Sequence, residues 1–325
     1  MGKMKKILLF LVLAIGLGLG GLFTYLFTAL PYEGYPEFEA NNSEESIERG
    51  RYLANHVTVC VDCHSVRDWN YFSGPIVAGT EGKGGEVFDQ SLGFPGAFVA
   101  KNITPTALSD WEDRDLARAI TSGVSKDGTP FFPVMPYPSY SRLSSTDLAA
   151  LVAYLRTLKP VENKVADSKP DFPMNLILRT IPGPHDPMEV DPEDEVAYGK
   201  YLVTIAGCAD CHTPQEKGKK LPGMDLAGGF PFPLPDGSIV RSANITPDEE
   251  TGIGSWDESV FVERFKQYEG EQARLQKVEP GQKNSYMPWT MYAGMKESDL
   301  KAMYAYLKTV KPVKNQVEVF TPVGR

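Results

Sequence analysis

The chain has 325 residues and a formal net charge of −9, with 42% hydrophobic residues. That length accommodates two domains of ordinary size. The acidic balance excludes binding of a nucleic acid through its phosphates.

The first feature along the chain is an apolar segment at residues 1–31. Lys3, Lys5 and Lys6 precede an uncharged run from Ile7 to Leu30, closed by Pro31. As a helix this run spans about 36 Å, enough to cross a bilayer with some tilt. A cleaved signal peptide is the other reading. The apolar core of such a peptide is shorter, and no convincing small-x-small site precedes Pro31. A retained single-pass anchor is therefore expected, with the lysines placing the N-terminus in the cytoplasm. Everything beyond it then lies in the periplasm or another extracytoplasmic space, outside the cytoplasmic (inner) membrane. That part carries 30 basic residues against 42 acidic ones, a formal −12. Its field would attract a basic face on a partner.

Residues 32–165 form the first expected domain. Asn42 with Glu45 reads as a helix cap, and the helix leads into Cys60-Val-Asp-Cys63-His64. This Cys-x-x-Cys-His spacing is the attachment site of a c-type haem: two thiols add across the vinyl groups and the His takes one axial position on the iron. Zinc would need four ligands from one cluster, and a redox dithiol needs no His after its second Cys. A Gly- and Pro-rich loop follows, then a helix near Trp111, a loop with Met135-Pro136, and a last helix. In that helix Ser144 to Asp147 reads as a cap, and Leu148, Leu151, Val152, Leu155 and Leu158 fall at helical spacing. Residues 166–190 are a Pro-rich linker, part of which, around Met174 to Leu178, is expected to pack on a domain.

Residues 191–325 repeat the plan, opening at Asp191-Pro192. Gly50-Arg51-Tyr52-Leu53 matches Gly199-Lys200-Tyr201-Leu202, and the second haem motif is Cys208-Ala-Asp-Cys211-His212. Asn102-Ile103-Thr104-Pro105 matches Asn244-Ile245-Thr246-Pro247, Trp111 matches Trp256, and Met135-Pro136 matches Met287-Pro288. The two motifs use all four cysteines. The expectation is an all-α chain: two tandem cytochrome c-type domains behind one transmembrane helix, holding two covalently bound haem c groups.

The second axial ligand decides the chemistry. Met135 and Met287 are the candidates because they recur at equivalent places before the last helix. Met291 and Met295 compete for the second haem, and His185 is a distant alternative for either. Trp111 and Trp256 are expected against haem edges, and Asn102 and Asn244 as loop-stabilising residues. No nucleophile–base pair or cofactor loop of another kind stands out, so the chain reads as an electron-transfer protein rather than an enzyme. Its redox partners would be a dehydrogenase or quinol-oxidising complex on one side and a terminal oxidase or soluble cytochrome on the other. A dihaem peroxidase is the alternative, and it would need the two halves to differ at the sixth position.

At these motifs the chain resembles the multihaem c-type cytochromes that form the membrane-linked electron-acceptor subunits of periplasmic alcohol, aldose and gluconate dehydrogenases. The resemblance rests on both Cys-x-x-Cys-His motifs, on residues 244–247 with Thr251-Gly252-Ile253-Gly254 and Trp256, and on Met135-Pro136-Tyr137-Pro138-Ser139-Tyr140. It covers most of residues 45–315. It implies that His64 and Met135 bind one iron and His212 and Met287 the other. Those subunits commonly carry three haem motifs, whereas this chain has two.

Overall fold

The computed structural model describes residues 2–32 and 34–323. Helix α1 (Gly2–Thr28) is one uninterrupted apolar helix whose side chains touch almost nothing else in the chain. At 27 residues it is about 40 Å long, which exceeds the hydrocarbon core of a bilayer.

The body is built from two halves that share five helices in the same order, with one further short helix in each (Pro105–Leu108 and Glu271–Arg274) that has no counterpart. The first runs α2 (Glu44–Tyr52), α3 (Cys60–Cys63), α4 (Pro105–Leu108), α5 (Asp113–Ser122), α6 (Tyr137–Tyr140) and α7 (Ser145–Thr157). After α8 (Met174–Ile177), the second runs α9 (Glu195–Ile205), α10 (Cys208–His212), α11 (Glu258–Lys266), α12 (Glu271–Arg274), α13 (Trp289–Tyr292) and α14 (Glu297–Leu307). In each half the first long helix crosses the last one at a glycine. A Cβ on Gly50 would overlap the Ala150 carbonyl, and one on Gly199 the Ala302 carbonyl, so the repeated glycines set how closely the backbones approach. Leu148, Leu151, Val152, Leu155 and Leu158 are buried as the periodicity requires, and so are Leu300, Met303 and Leu307.

Two caps differ from expectation. Ser43, not Asn42, accepts from the Ser46 amide at the start of α2. Helix α9 is capped by Asp194, whose side chain accepts from the Ala197 amide, while Asp191 closes a turn with Glu193. The expected cap at Ser144 is in place, its hydroxyl accepting from the Asp147 amide.

The all-α expectation needs correction. Among the described residues three small antiparallel sheets lie outside the helices: β1 (Val87–Phe88), β2 (Gly96–Val99) and β3 (Lys169–Pro170); β4 (Gln215–Glu216) with β5 (Lys219–Lys220); and β6 (Pro231–Pro233), β7 (Ile239–Arg241) and β8 (Phe320–Thr321). Backbone polar groups in loops folded against a core need partners, and short ladders supply them. Strands of two to four residues are too short to show an alternating pattern. Through β3 the linker pairs with the first half, Gly96 opposite Pro170. Further along, Asp186 and Met188 donate their amides to Ser141 and Arg142, so the linker is packed along that half.

Candidate haem site

The backbone before each motif prepares a sharp turn. In the first half Leu53–Val57 widens into a π-helical turn, and the Thr58 amide reaches back five residues to Leu53. The residue immediately before the first Cys is left-handed in both halves: Val59 at φ 46° and Gly207 at φ 65°. A β-branched residue there carries backbone strain that Gly207 avoids.

The two motif histidines are oriented identically. His64 Nδ1 lies 2.6 Å from the Lys101 carbonyl, and His212 Nδ1 lies 2.7 Å from the Ala243 carbonyl. A carbonyl only accepts, so each ring carries its proton on Nδ1, which leaves Nε2 as the free lone pair. Burial holds both imidazoles below the usual histidine range and keeps them neutral, as a metal ligand must be.

Lys101 and Ala243 are the residues just before the repeated Asn-Ile-Thr-Pro. That loop is clipped by its asparagine. Asn102 Oδ1 accepts from the amide and hydroxyl of Thr104, and its Nδ2 donates to Val161 O; Asn244 does the same with Thr246 and Val313. Gly84 and Gly228 complete the frame. Their amides donate to the His64 and His212 carbonyls, both have positive φ, and a Cβ on either would strike the Lys101 or Ala243 backbone. These glycines escaped the sequence reading, although Gly-Gly recurs after both motifs.

The four cysteines form no disulfide. Burial pushes the Cys63 and Cys208 thiols up to about 12, well away from the low-pKa thiolate of a redox dithiol. Among the described residues no three His, Cys, Asp or Glu side chains cluster to hold a metal ion.

A cavity in the second half is lined by Cys208, His212, Ile245, Phe261, Phe265, Met287, Tyr292, Met303 and Leu307. One motif Cys, the motif His and the Met of the repeated Met-Pro thus meet around an apolar space. Met291 and Met295 are buried elsewhere. Met303 stands where the first half has Leu151, so Met287 is the sulfur with a counterpart. Met135 and Met287 occupy matching turns, their carbonyls accepting from the amides of Tyr137 and Trp289. His185 spends Nε2 on the Leu143 carbonyl. Trp111 and Trp256 are half-buried against the core and accept through their carbonyls from Arg156 and Tyr304; Trp256 also borders a surface groove with Val260 and Arg264.

Each Met turn is tied to its own motif by a buried tyrosine five residues after the Met. Tyr140 donates to Thr58 O (2.6 Å) and Tyr292 to Ala206 O (3.0 Å), each carbonyl two residues before the first Cys. Each Met turn is also held by the opposite half. Ser73 donates to the Met287 carbonyl and accepts from the Trp289 amide, while Ser139 donates to Asp210 of the second motif. His56 adds a bond from Nδ1 to the Met291 carbonyl (2.8 Å).

The repeated tyrosines make a crosswise interface. Tyr52 of the first half donates to Asp299 of the second (2.7 Å), and Tyr201 of the second donates to Asp147 of the first (2.7 Å). The motif aspartates are treated unequally. Asp62 is buried with Arg67 and Glu86, and burial lifts it to about 6 despite the guanidinium; Asp210 is partly exposed beside Lys220.

A family model for cytochrome c matches residues 196–311. The dihaem c-type cytochrome of Cereibacter sphaeroides is 31% identical over 271 residues, covering 78% of this chain and 82% of that one. The chain belongs to the cytochrome c family. As a c-type cytochrome it carries covalently bound haem c and serves electron transfer. The residues fit that group: the second-half cavity brings thiol, imidazole and thioether together among apolar walls. Other relatives are the cytochrome c subunit of gluconate 2-dehydrogenase from Pantoea cypripedii, 33% identical across 70% of this chain and 52% of its own length, and that of the quinone-dependent alcohol dehydrogenase from Gluconobacter oxydans, 29% identical across 70% and 48%. This cytochrome thus spans about half the length of the dehydrogenase subunits that it matches.

Proposed function

We propose that the chain is a dihaem relay, with one cytochrome c domain in each half, that moves single electrons from a membrane dehydrogenase or quinol-oxidising complex to a terminal oxidase or soluble cytochrome. The observation that carries this reading is the meeting of Cys208, His212 and Met287 around one apolar cavity, together with the same residue types in the same frame in the first half. When bound, a haem iron ligated by His and Met would supply one-electron redox chemistry at relatively high potential.

The chain's residues do the rest. Cys60, Cys63, Cys208 and Cys211 would hold the macrocycles, and His64 and His212 would supply one ligand each, with Nδ1 fixed on a carbonyl. Met135 and Met287 would supply the second ligand to each iron, in turns held by Tyr140, Tyr292, Ser73 and Ser139. The apolar walls exclude water and competing ligands. Ser139 beside the first Met turn bonds Asp210 of the second motif and Ser73 bonds the second Met turn, so the two sites are braced against one another. Helix α1 anchors the assembly in the cytoplasmic membrane, with the haem-bearing halves on the periplasmic side.

The relatives named as dehydrogenase cytochrome subunits support a dehydrogenase as donor. The peroxidase alternative gains no support, since both halves keep Met in the same turn and the three relatives named above are electron-transfer cytochromes or cytochrome subunits. The test is haem stoichiometry and the near-infrared Met-to-iron charge-transfer band of the oxidised protein. Two haems per chain, with one band lost in Met135→Ala and the other in Met287→Ala, is the expected result. One haem, or a band insensitive to either change, refutes the relay as described.

A further inference from the structure

The linker segment that follows β3 docks on the end of α1. Arg179 donates Nε to the Leu26 carbonyl (2.6 Å) and Nη2 to the Leu30 carbonyl (2.8 Å), and its guanidinium lies 4.5 Å from the centre of the Phe27 ring. The last carbonyls of a helix lack intrahelical partners, and here a side chain from the body supplies them. Leu178, next to Arg179, is only 3% exposed and roots the segment in the body. The contact therefore fixes residues 172–181 at the level where α1 ends.

That segment presents apolar side chains outward. Phe172 is 80% exposed, the highest value among exposed large apolar residues of the described chain, α1 included. Ile177 and Ile181, one helical turn apart, are 43% and 36% exposed. Tyr32, just past α1, is exposed as well. A body otherwise rich in charge gains nothing from such a cluster in water. At the headgroup–acyl boundary the same cluster is favourable, with Phe and Ile seated in the acyl region, Tyr at the headgroups, and Arg179 at the polar edge.

We propose that residues 172–181 are a second membrane contact, in which Phe172, Ile177 and Ile181 enter the bilayer interface beside the point where α1 emerges. This rests on the reading of α1 as a membrane span. Its consequence is a body held by two adjacent points instead of swinging on one, so that the haem sites keep a set height and facing above the membrane.

The test uses the full haem-loaded chain in vesicles of phosphatidylethanolamine and phosphatidylglycerol containing a phospholipid with a photoreactive acyl chain. Cross-linked peptides are mapped by mass spectrometry. Label in both α1 and residues 172–181 is expected, with the second falling severalfold in Phe172→Ser/Ile177→Ser while α1 stays labelled. Arg179→Ala is expected to lower label at 172–181 in the same way. Label in α1 alone would overturn the second contact, leave the anchor intact, and mark the patch as a face for another protein. Absence of label from α1 would overturn the span reading itself.

Discussion

Removing one hydroxyl, in Tyr52→Phe, tests the crosswise interface most directly. Tyr52 gives its hydroxyl proton to Asp299 Oδ2 at 2.7 Å and accepts from the Lys296 amide at 3.1 Å. Asp299 is 5% exposed and has no arginine; its other contacts are Ser298 at 3.3 Å and Tyr198 at 3.5 Å. A hydrogen bond to a charged group contributes about 1.5–3 kcal/mol, and stranding a buried carboxylate pushes the loss to the upper end, about 3 kcal/mol. The mirror change, Tyr201→Phe, should cost less, about 1.5 kcal/mol, because Asp147 keeps both bonds from Arg49 at 2.8 and 2.7 Å. Tyr198→Phe is the internal control. Its hydroxyl reaches the same Asp299 oxygen only at the limit of a hydrogen bond, and the change should cost under about 0.5 kcal/mol. Urea unfolding of the haem-loaded protein, followed by circular dichroism, gives all three. A Tyr52→Phe loss below about 0.5 kcal/mol, or a larger loss in Tyr201→Phe, would refute the crosswise assignment and the argument from the missing arginine.

Gly199→Ala forces a Cβ into the Ala302 carbonyl, and the overpacking should cost about 1–3 kcal/mol or more in the same unfolding assay. In Ser73→Ala the Met287 turn loses both a donor and an acceptor from the opposite half. The charge-transfer band of the Met287 site should then be lost at a lower pH than in the parent, with the Met135 band unmoved; equal shifts in both bands would contradict the bracing. His56 is held below its ordinary range, first by desolvation and then by Arg274 and Lys266, with Met291 O and Glu269 opposing. Neutral His56 is thus favoured in the folded state, and the unfolded chain binds more protons. Its stabilising share is complete above about pH 6.5 and falls as pH drops toward the depressed folded value. His56→Gln should flatten that part of the stability–pH curve between pH 7 and 5, and an unchanged curve would remove His56 from the account.

Much of this was readable from spacing. Cys-x-x-Cys-His names its chemistry because thioether attachment and axial ligation need those atoms in that order. Duplication favours Met287 over its competitors Met291 and Met295, because Met287 has a methionine counterpart in Met135. The internal repeat also marked Tyr52, Tyr201, Gly50 and Gly199 as paired positions, but a repeat records equivalence and not direction. It could not say that the glycines act within a half and the tyrosines across the two. Ser73 and Ser139 were illegible for a different reason, since their braces have no shared sequence pattern. The strands were missed because two-residue ladders leave no periodic trace. The caps of α2 and α9 moved by one and three residues because several acidic and polar residues there can all close a helix start.

The crosswise tyrosines also bear on how such a chain could arise. Each half carries both members of the pair, a donor at Tyr52 or Tyr201 and an acceptor at Asp147 or Asp299. A single half is therefore self-complementary: two copies would meet about a two-fold axis, tyrosine to aspartate twice over, as an isologous homodimer. Joining the copies by residues 166–190 would turn that dimer into one polypeptide. Freed from identity, the surroundings of each position could then diverge, as those of Asp62 and Asp210 have, and a symmetric pair of sites could become an ordered one.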